Sequence, residues 1–180
     1  ASRRHWQVTM SGRHLTQLVA LLAVMAMTIL GAAMLADAQE LDPVVVVNDL
    51  QERTFRFFWE TANRENGLIP DRYPTADAAS SVAAVGFGLT TYPIGVERGY
   101  ITRAEARERT LATLRFFHGA PQGPEGQGTA GYKGFFYHFL DMGTGVRFKT
   151  VELSTIDTAL LLGGVLFCRE YFDQAGVAAE

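Results

Sequence analysis

Three carboxylates, Asp141, Glu152 and Asp157, stand close together in the second half of the sequence, among His138, Tyr137, Tyr132 and Lys133. Asp157 lies three residues after Ser154, the spacing of a helix cap, so it has a structural reading as half of a capping box beside any chemical one. Glu152, two residues before that cap, has no such duty. Asp141 falls in a glycine-containing turn, Asp141-Met142-Gly143-Thr144-Gly145. A helix beginning at Ser154 gathers all three at its N-terminus, where the helix dipole favours ionised carboxylates. Such groups suit base, hydrogen-bonding or capping roles and donate protons poorly. Glu152 and Asp141 are therefore the candidates for catalysis. His138, Tyr137, Tyr132 and Lys133 read either as sugar-contacting groups or as plain surface, with Asp157 beside them. Arg72, within Asp71-Arg72-Tyr73-Pro74, reads either as half of a local ion pair at a turn or as part of the same face.

Other chemistries fail on context. Gly126-Gln127-Gly128-Thr129-Ala130-Gly131 matches the glycine spacing of a dinucleotide loop, with Glu152 about twenty residues on. That loop needs a strand before it and a helix after it; here a Pro-rich stretch precedes and an aromatic strand follows. Tyr132 stands where a phosphate-binding loop would carry Lys. His118 and His138 are too far apart in sequence to suggest a metal site, and the lone Cys168 sits in an apolar helical pattern that favours a buried, inert thiol. The sequence thus implies no cofactor and no metal. The net charge of −3 over 180 residues gives no basic footprint for nucleic acid.

These groups need elements to position them, and the spacing predicts four helices. The first, about 46–63, places Leu50, Thr54, Phe57 or Phe58 and Thr61 on one side. The second, about 80–94, is almost free of charge and contains Gly86 and Gly88. The third opens on a Thr102–Glu105 capping box and directs Ala106, Leu111, Leu114 and Phe117 inward, with Arg103, Arg107, Glu108, Arg109 and Arg115 outside. The fourth starts at Ser154 and runs through Ile156, Ala159, Leu160, Gly163, Phe167 and Tyr171, again nearly uncharged until Arg169. Charged and apolar helices alternate, as they do where outer and inner helices alternate in an α/α toroid; an ordinary helical bundle fits the pattern equally well. Between helices three and four the pattern predicts one β-hairpin. Residues 135–140 go out, 141–145 turn and 146–150 return. The fold class is all-α with a β-hairpin insertion.

The N-terminal segment is of another kind. No charge interrupts Leu15–Ala36; Arg3, Arg4 and Arg13 precede it and Ala36-Asp37-Ala38 follows. This reads as a secretory signal over residues 1–38 cleaved after Ala38, with Met10 as a possible start, or as an uncleaved anchor over residues 15–36. Either way residues 39–180 lie outside the cytoplasm, periplasmic, secreted or membrane-anchored, and membrane contact is confined to that segment. Removing 1–38 leaves 13 basic and 18 acidic side chains, a net charge of −5, which suits an uncharged or cationic ligand better than DNA or an anionic membrane.

The segments LQERTFRFFWE, GLIPDRY, SSVAAVGFGLTTYPIGVERGYITRAEARERTLATLRFF, GYKGFFYHFLDMGTGVRF and VELSTIDTALLLGGVLFCREYF, taken in order over about residues 48–173, resemble the start of the glycoamylase-like proteins. That family is related to bacterial β-1,2-glucanases and to a domain of cyclic β-1,2-glucan synthases. The resemblance implies an (α/α)6 barrel, twelve helices in two rings, of which residues 39–180 supply the N-terminal third. It also implies a sugar-binding cleft at one end and inverting hydrolysis of β-glucan. An inverting mechanism needs a protonated acid and a base about 6.5–9.5 Å apart, and the acid is expected beyond Glu180. Two functions follow as expectations: an exported glycoside hydrolase acting on an oligo- or polysaccharide, inactive in this stretch alone, or a non-catalytic envelope protein that binds carbohydrate.

Overall fold

A computed structural model of the chain describes residues 12–36 and 42–173. It divides into two compact units, residues 1–46 and 47–180. The first contains α1 (Gly12–Ala36), an apolar helix that exposes Val19, Leu21, Leu22, Val24, Met25 and Met27, and the opening of α2 (Pro43–Thr61). The cleavage position expected after Ala38 lies outside the described residues.

The second unit contains most of α2, then α3 (Val82–Glu97), α4 (Arg103–Gly119) and α5 (Thr155–Phe172). Five short strands thread between them: β1 (Ser80–Ser81), β2 (Gly131–Tyr132), β3 (Phe135–Tyr137), β4 (Phe139–Leu140) and β5 (Leu153–Ser154). Each N-terminus predicted from capping chemistry is capped as expected. Thr102 and Glu105 form a reciprocal capping box on α4, and Ser154 accepts from the Asp157 N–H on α5. On α3 Ser81 caps by accepting from the Ala84 N–H.

The uncharged helices α3 and α5 pack against each other most closely, and glycine is the reason. A Cβ on Gly86 would run into the Leu160 carbonyl, and one on Gly164 would run into the Gly86 carbonyl, so the two backbones meet with no side chain between them. Leu89, Val85, Leu161 and Cys168 are buried around this contact. Cys168 is 1% exposed, donates to the Leu89 carbonyl at 3.0 Å, and is pushed up to about 11 by burial, which makes it an unreactive thiol.

The buried faces differ from three of the predicted stripes. On α2 the buried residue is Phe55, stacked on Trp59 and tilted against Tyr100, while Leu50 is exposed; three consecutive aromatics, Phe57 to Trp59, blur the helical period there. On α4 the inward residues include Arg109, whose guanidinium lies over the Trp59 ring, 4.4 Å from its centroid, instead of in solvent. On α5 the buried line is Asp157, Leu161, Gly164 and Cys168, and Ile156, Leu160 and Phe167 are exposed. An apolar helix carries no mark of which side its neighbour takes.

The predicted hairpin is displaced. The observed one joins β2 to β3, pairing Gly131 with Phe136 and Tyr132 with Phe135. Its two-residue loop, Lys133-Gly134, has φ of 51° and 84°, the positive pair that a tight hairpin needs and that glycine meets most cheaply. The expected return over residues 146–150 is a short pairing, an antiparallel Leu140–Arg147 bridge flanked by hydrogen bonds from the Asp141 N–H to the Val146 carbonyl and from the Phe148 N–H to the Phe139 carbonyl.

Candidate functional site

The aromatic insertion ties together the N-termini of α3 and α5. β3 pairs antiparallel with β5, the strand that leads into α5, while β4 pairs antiparallel with β1, the strand that leads into α3. His138 is the single residue between β3 and β4, and its backbone makes both joints. Its N–H donates to the Glu152 carbonyl at 3.0 Å, and its carbonyl accepts from the Val82 N–H at 3.1 Å. The imidazole is thus fixed between two helix starts.

Its side chain is bracketed by carboxylates. Nδ1 lies 2.8 Å from Glu152 Oε1, and Nε2 lies 3.8 Å from Asp157 Oδ1. The ring also stacks on Phe139, centroids 3.9 Å apart and planes 16° from parallel. Because an ionised carboxylate only accepts, the hydrogen on the short contact sits on Nδ1. The Glu152 carboxyl is held below the usual carboxylate range, first by its own backbone N–H and then by His138. Asp157, 7% exposed, receives the Ser154 hydroxyl on its other oxygen. Its capping and site-lining readings therefore coexist: one oxygen serves the cap, the other faces His138.

Asp141 does not join this group. Its carboxylate closes its own turn, accepting from the Thr144 N–H, the Thr144 hydroxyl and the Gly143 N–H, bonds that lower its pKa. That turn is tied to the end of α2, where the Asn63 and Asn66 amides donate to the Met142 carbonyl. Tyr137 is 5% exposed, with the Arg147 guanidinium 4.4 Å above its ring, and belongs to the core. Tyr132 and Lys133 sit on the β2–β3 hairpin, Lys133 Nζ 5.2 Å from the Tyr132 ring, and among the described residues no hydrogen bond joins them to His138. Arg72 pairs with its neighbour Asp71 at 2.7 Å, as the local reading expects.

The loop carrying Asp71 still meets the site. A cavity of about 430 Å³ is lined by Asp71 and Pro70, by Phe57 and Phe58, by Phe87 of α3, and by Phe139, the ring on which His138 stacks. Phe87 is half exposed there. Sequence reasoning passed over Phe87 and Phe139. The signal for Phe87 is a large aromatic flanked on both sides by glycine, Gly86 and Gly88, in a nearly uncharged helix. Among the described residues no group of three His, Cys, Asp or Glu side chains is placed to hold a metal ion. The arrangement offers anionic acceptors, an imidazole and aromatic faces, the groups with which a protein binds a hydroxyl-rich ligand.

Comparison with known proteins identifies the relatives. The chain is 32% identical over 148 residues to an exo β-1,2-glucooligosaccharide sophorohydrolase (non-reducing end) from Parabacteroides distasonis, a match covering 78% of the chain. The chain is related to the glucoamylase-like proteins and β-1,2-glucanases. Among solved structures, a β-1,2-glucanase from Parabacteroides distasonis superposes with a TM-score of 0.58 at 31% identity over 70% of the chain. A glucoamylase-like protein from Bacteroides uniformis gives 0.63 at 25% over 77%. An endo-β-1,2-glucanase from Chitinophaga pinensis, solved with sophorotriose and glucose, gives 0.61 at 25% over 76%. No protein-family model matches the sequence. The chain spans 18% of the sophorohydrolase and 33% of the Chitinophaga enzyme.

Proposed function

We propose that this chain is part of an exported glycoside hydrolase of (α/α)6 architecture that cleaves β-1,2-glucan with inversion. The observation that carries the reading is the 32% identity over 148 residues to a β-1,2-glucooligosaccharide sophorohydrolase. Three features support it: α3 and α5 are nearly uncharged and meet backbone to backbone, as inner helices would, the insertion laces their N-termini together, and an aromatic-lined cavity lies beside Phe139.

On this reading Glu152 and Asp157 orient sugar hydroxyls or a water, with His138 fixing Glu152 and Ser154 fixing Asp157. A Glu152 carboxyl held below its usual range is a poor proton donor, so the general acid comes from a part of the enzyme outside this stretch. The apolar run over residues 15–36 serves export, by cleavage or as an anchor.

The test uses the complete gene product. Reducing-end release from β-1,2-glucan, with little from β-1,3-glucan, is the expected result, and proton NMR of the first product should show the α-anomer that inversion produces. Saturable glucan binding without turnover would replace the hydrolase by a carbohydrate-binding envelope protein. Glu152→Gln should weaken glucan affinity or turnover; unchanged values for both would remove Glu152 from the site.

A further inference from the structure

A second polar concavity is built from other elements, the C-terminal end of α2 and the first half of α4. We propose that Arg64 and Arg109 there form a binding site for a small oxyanion, free or carried on an organic molecule. The opening measures about 260 Å³ and is lined by Trp59, Arg64, Glu105, Glu108, Arg109 and Ala112. A water takes about 30 Å³ in the liquid, so the space admits a group of several heavy atoms.

The Arg109 guanidinium has more donors than there are acceptors around it. Arg109 is 7% exposed, and no carboxylate among the described residues forms an ion pair with it. A guanidinium has five N–H donors; the bond found for Arg109 is to the Trp59 carbonyl at 3.3 Å, near the end of α2. A buried charge with no counter-charge and with most of its donors unmatched is costly, and such a group calls for an explanation. Beside it the Tyr92 hydroxyl is buried without a hydrogen-bond partner. Burial pushes that hydroxyl up to about 12, opposed by the Arg109 charge and by its contact with the Arg109 guanidinium. Arg64 stands exposed at the rim, also without an ion pair among the described residues.

The lining carboxylates do not fill the deficit. Glu105 is committed to the α4 cap, accepting from the Thr102 N–H and hydroxyl at 2.7 Å each. Glu108 is exposed and makes no ion pair among the described residues. What the buried Arg109 fork lacks is oxygen acceptors for its remaining N–H groups, which a phosphate, sulfate or carboxylate group supplies. Stacking on Trp59, 4.4 Å from the ring centroid, fixes the Arg109 fork in advance, so little side-chain freedom is lost on binding.

The experiment measures thermal midpoint and calorimetric affinity of the full chain with inorganic phosphate, sulfate and phenyl phosphate, against chloride at matched ionic strength. Phosphate should raise the midpoint by several degrees more than chloride does. A preference for phenyl phosphate over the free ion would assign the ligand to an organic phosphate, and the opposite order to the ion itself. Arg64→Gln, an exposed change, should weaken binding several-fold while leaving the ligand-free midpoint where it was. Glu108→Gln should tighten it by removing a competing negative charge. Equal stabilisation by phosphate and chloride, meaning an ordered water only, overturns the site; so does undiminished affinity in Arg64→Gln.

Discussion

The two sides of α5 have nearly the same composition and opposite environments. Toward α3 lie Leu161 at 2% exposure, Gly164 and Cys168 at 1%, in a contact tight enough to exclude a single Cβ. Away from it Ile156 is 66% exposed, Leu162 52%, Leu166 53% and Phe167 45%. An apolar surface of that extent marks a place where something else packs. Under the barrel reading it is where further inner helices close the ring. The contrast shows that apolar character selects burial in general, whereas the small residues select the partner, because only Gly86 and Gly164 let two helices meet backbone to backbone.

The sharpest way to break the comparison is to refill that contact. Gly86→Val places its branches against the Leu160 carbonyl, which cannot move without shifting α5. Overpacking a rigid contact of this kind should lower unfolding free energy by about 3 kcal/mol or more, read by denaturant titration of the full chain. A loss below about 1 kcal/mol would mean that the helices are not in backbone contact. Next in size is Leu161→Ala, which opens a cavity on the covered side and should cost about 2–4 kcal/mol in the same titration.

These residues also show what the sequence could and could not reveal. Helix starts were legible because capping is local: Thr102 with Glu105, and Ser154 with Asp157, need only neighbours three residues away. The alternation of charged and uncharged helices was legible for the same reason. The buried line of α5 was not, since every side of that helix is apolar and the choice is made by Gly86, far away in the chain. Arg109 misled because a charge on a helix face normally means solvent; here Trp59 supplies an aromatic floor that no pattern within α4 could announce. Of the site, Glu152, Asp157 and His138 were named from sequence, and the structure brings them together. Asp141 was grouped with them by proximity along the chain, yet its bonds to Thr144 and Gly143 turn it inward on its own loop. The hairpin was placed too late because the aromatic alternation of 135–140 outweighed the Lys133-Gly134 turn.

A smaller effect probes the end that both sides of α5 share. Ser154→Ala removes the acceptor for the Asp157 N–H and the hydroxyl donor to its carboxylate. Loss of a helix cap costs about 1 kcal/mol. The Asp157 carboxylate would then lose the hydrogen bond that orients it, so glucan affinity of the complete protein should fall along with stability. A stability loss without any change in affinity would separate the cap from the site.

The smallest effect is the most discriminating. Phe167→Ala removes a ring larger than the Leu161 side chain from the same helix, six residues on, and hydrophobicity alone ranks it the more damaging of the two. Exposure says the reverse: a side chain 45% exposed keeps much of its surface in water in the folded state, so its removal forfeits little burial and leaves no cavity. The full chain should lose about 0.5 kcal/mol or less. In a longer protein containing the remaining helices, the same substitution should cost several times more, approaching the about 3–5 kcal/mol of a buried Phe. Equal small losses in both would show that the open side of α5 stays in solvent, and the barrel reading would fail at this helix.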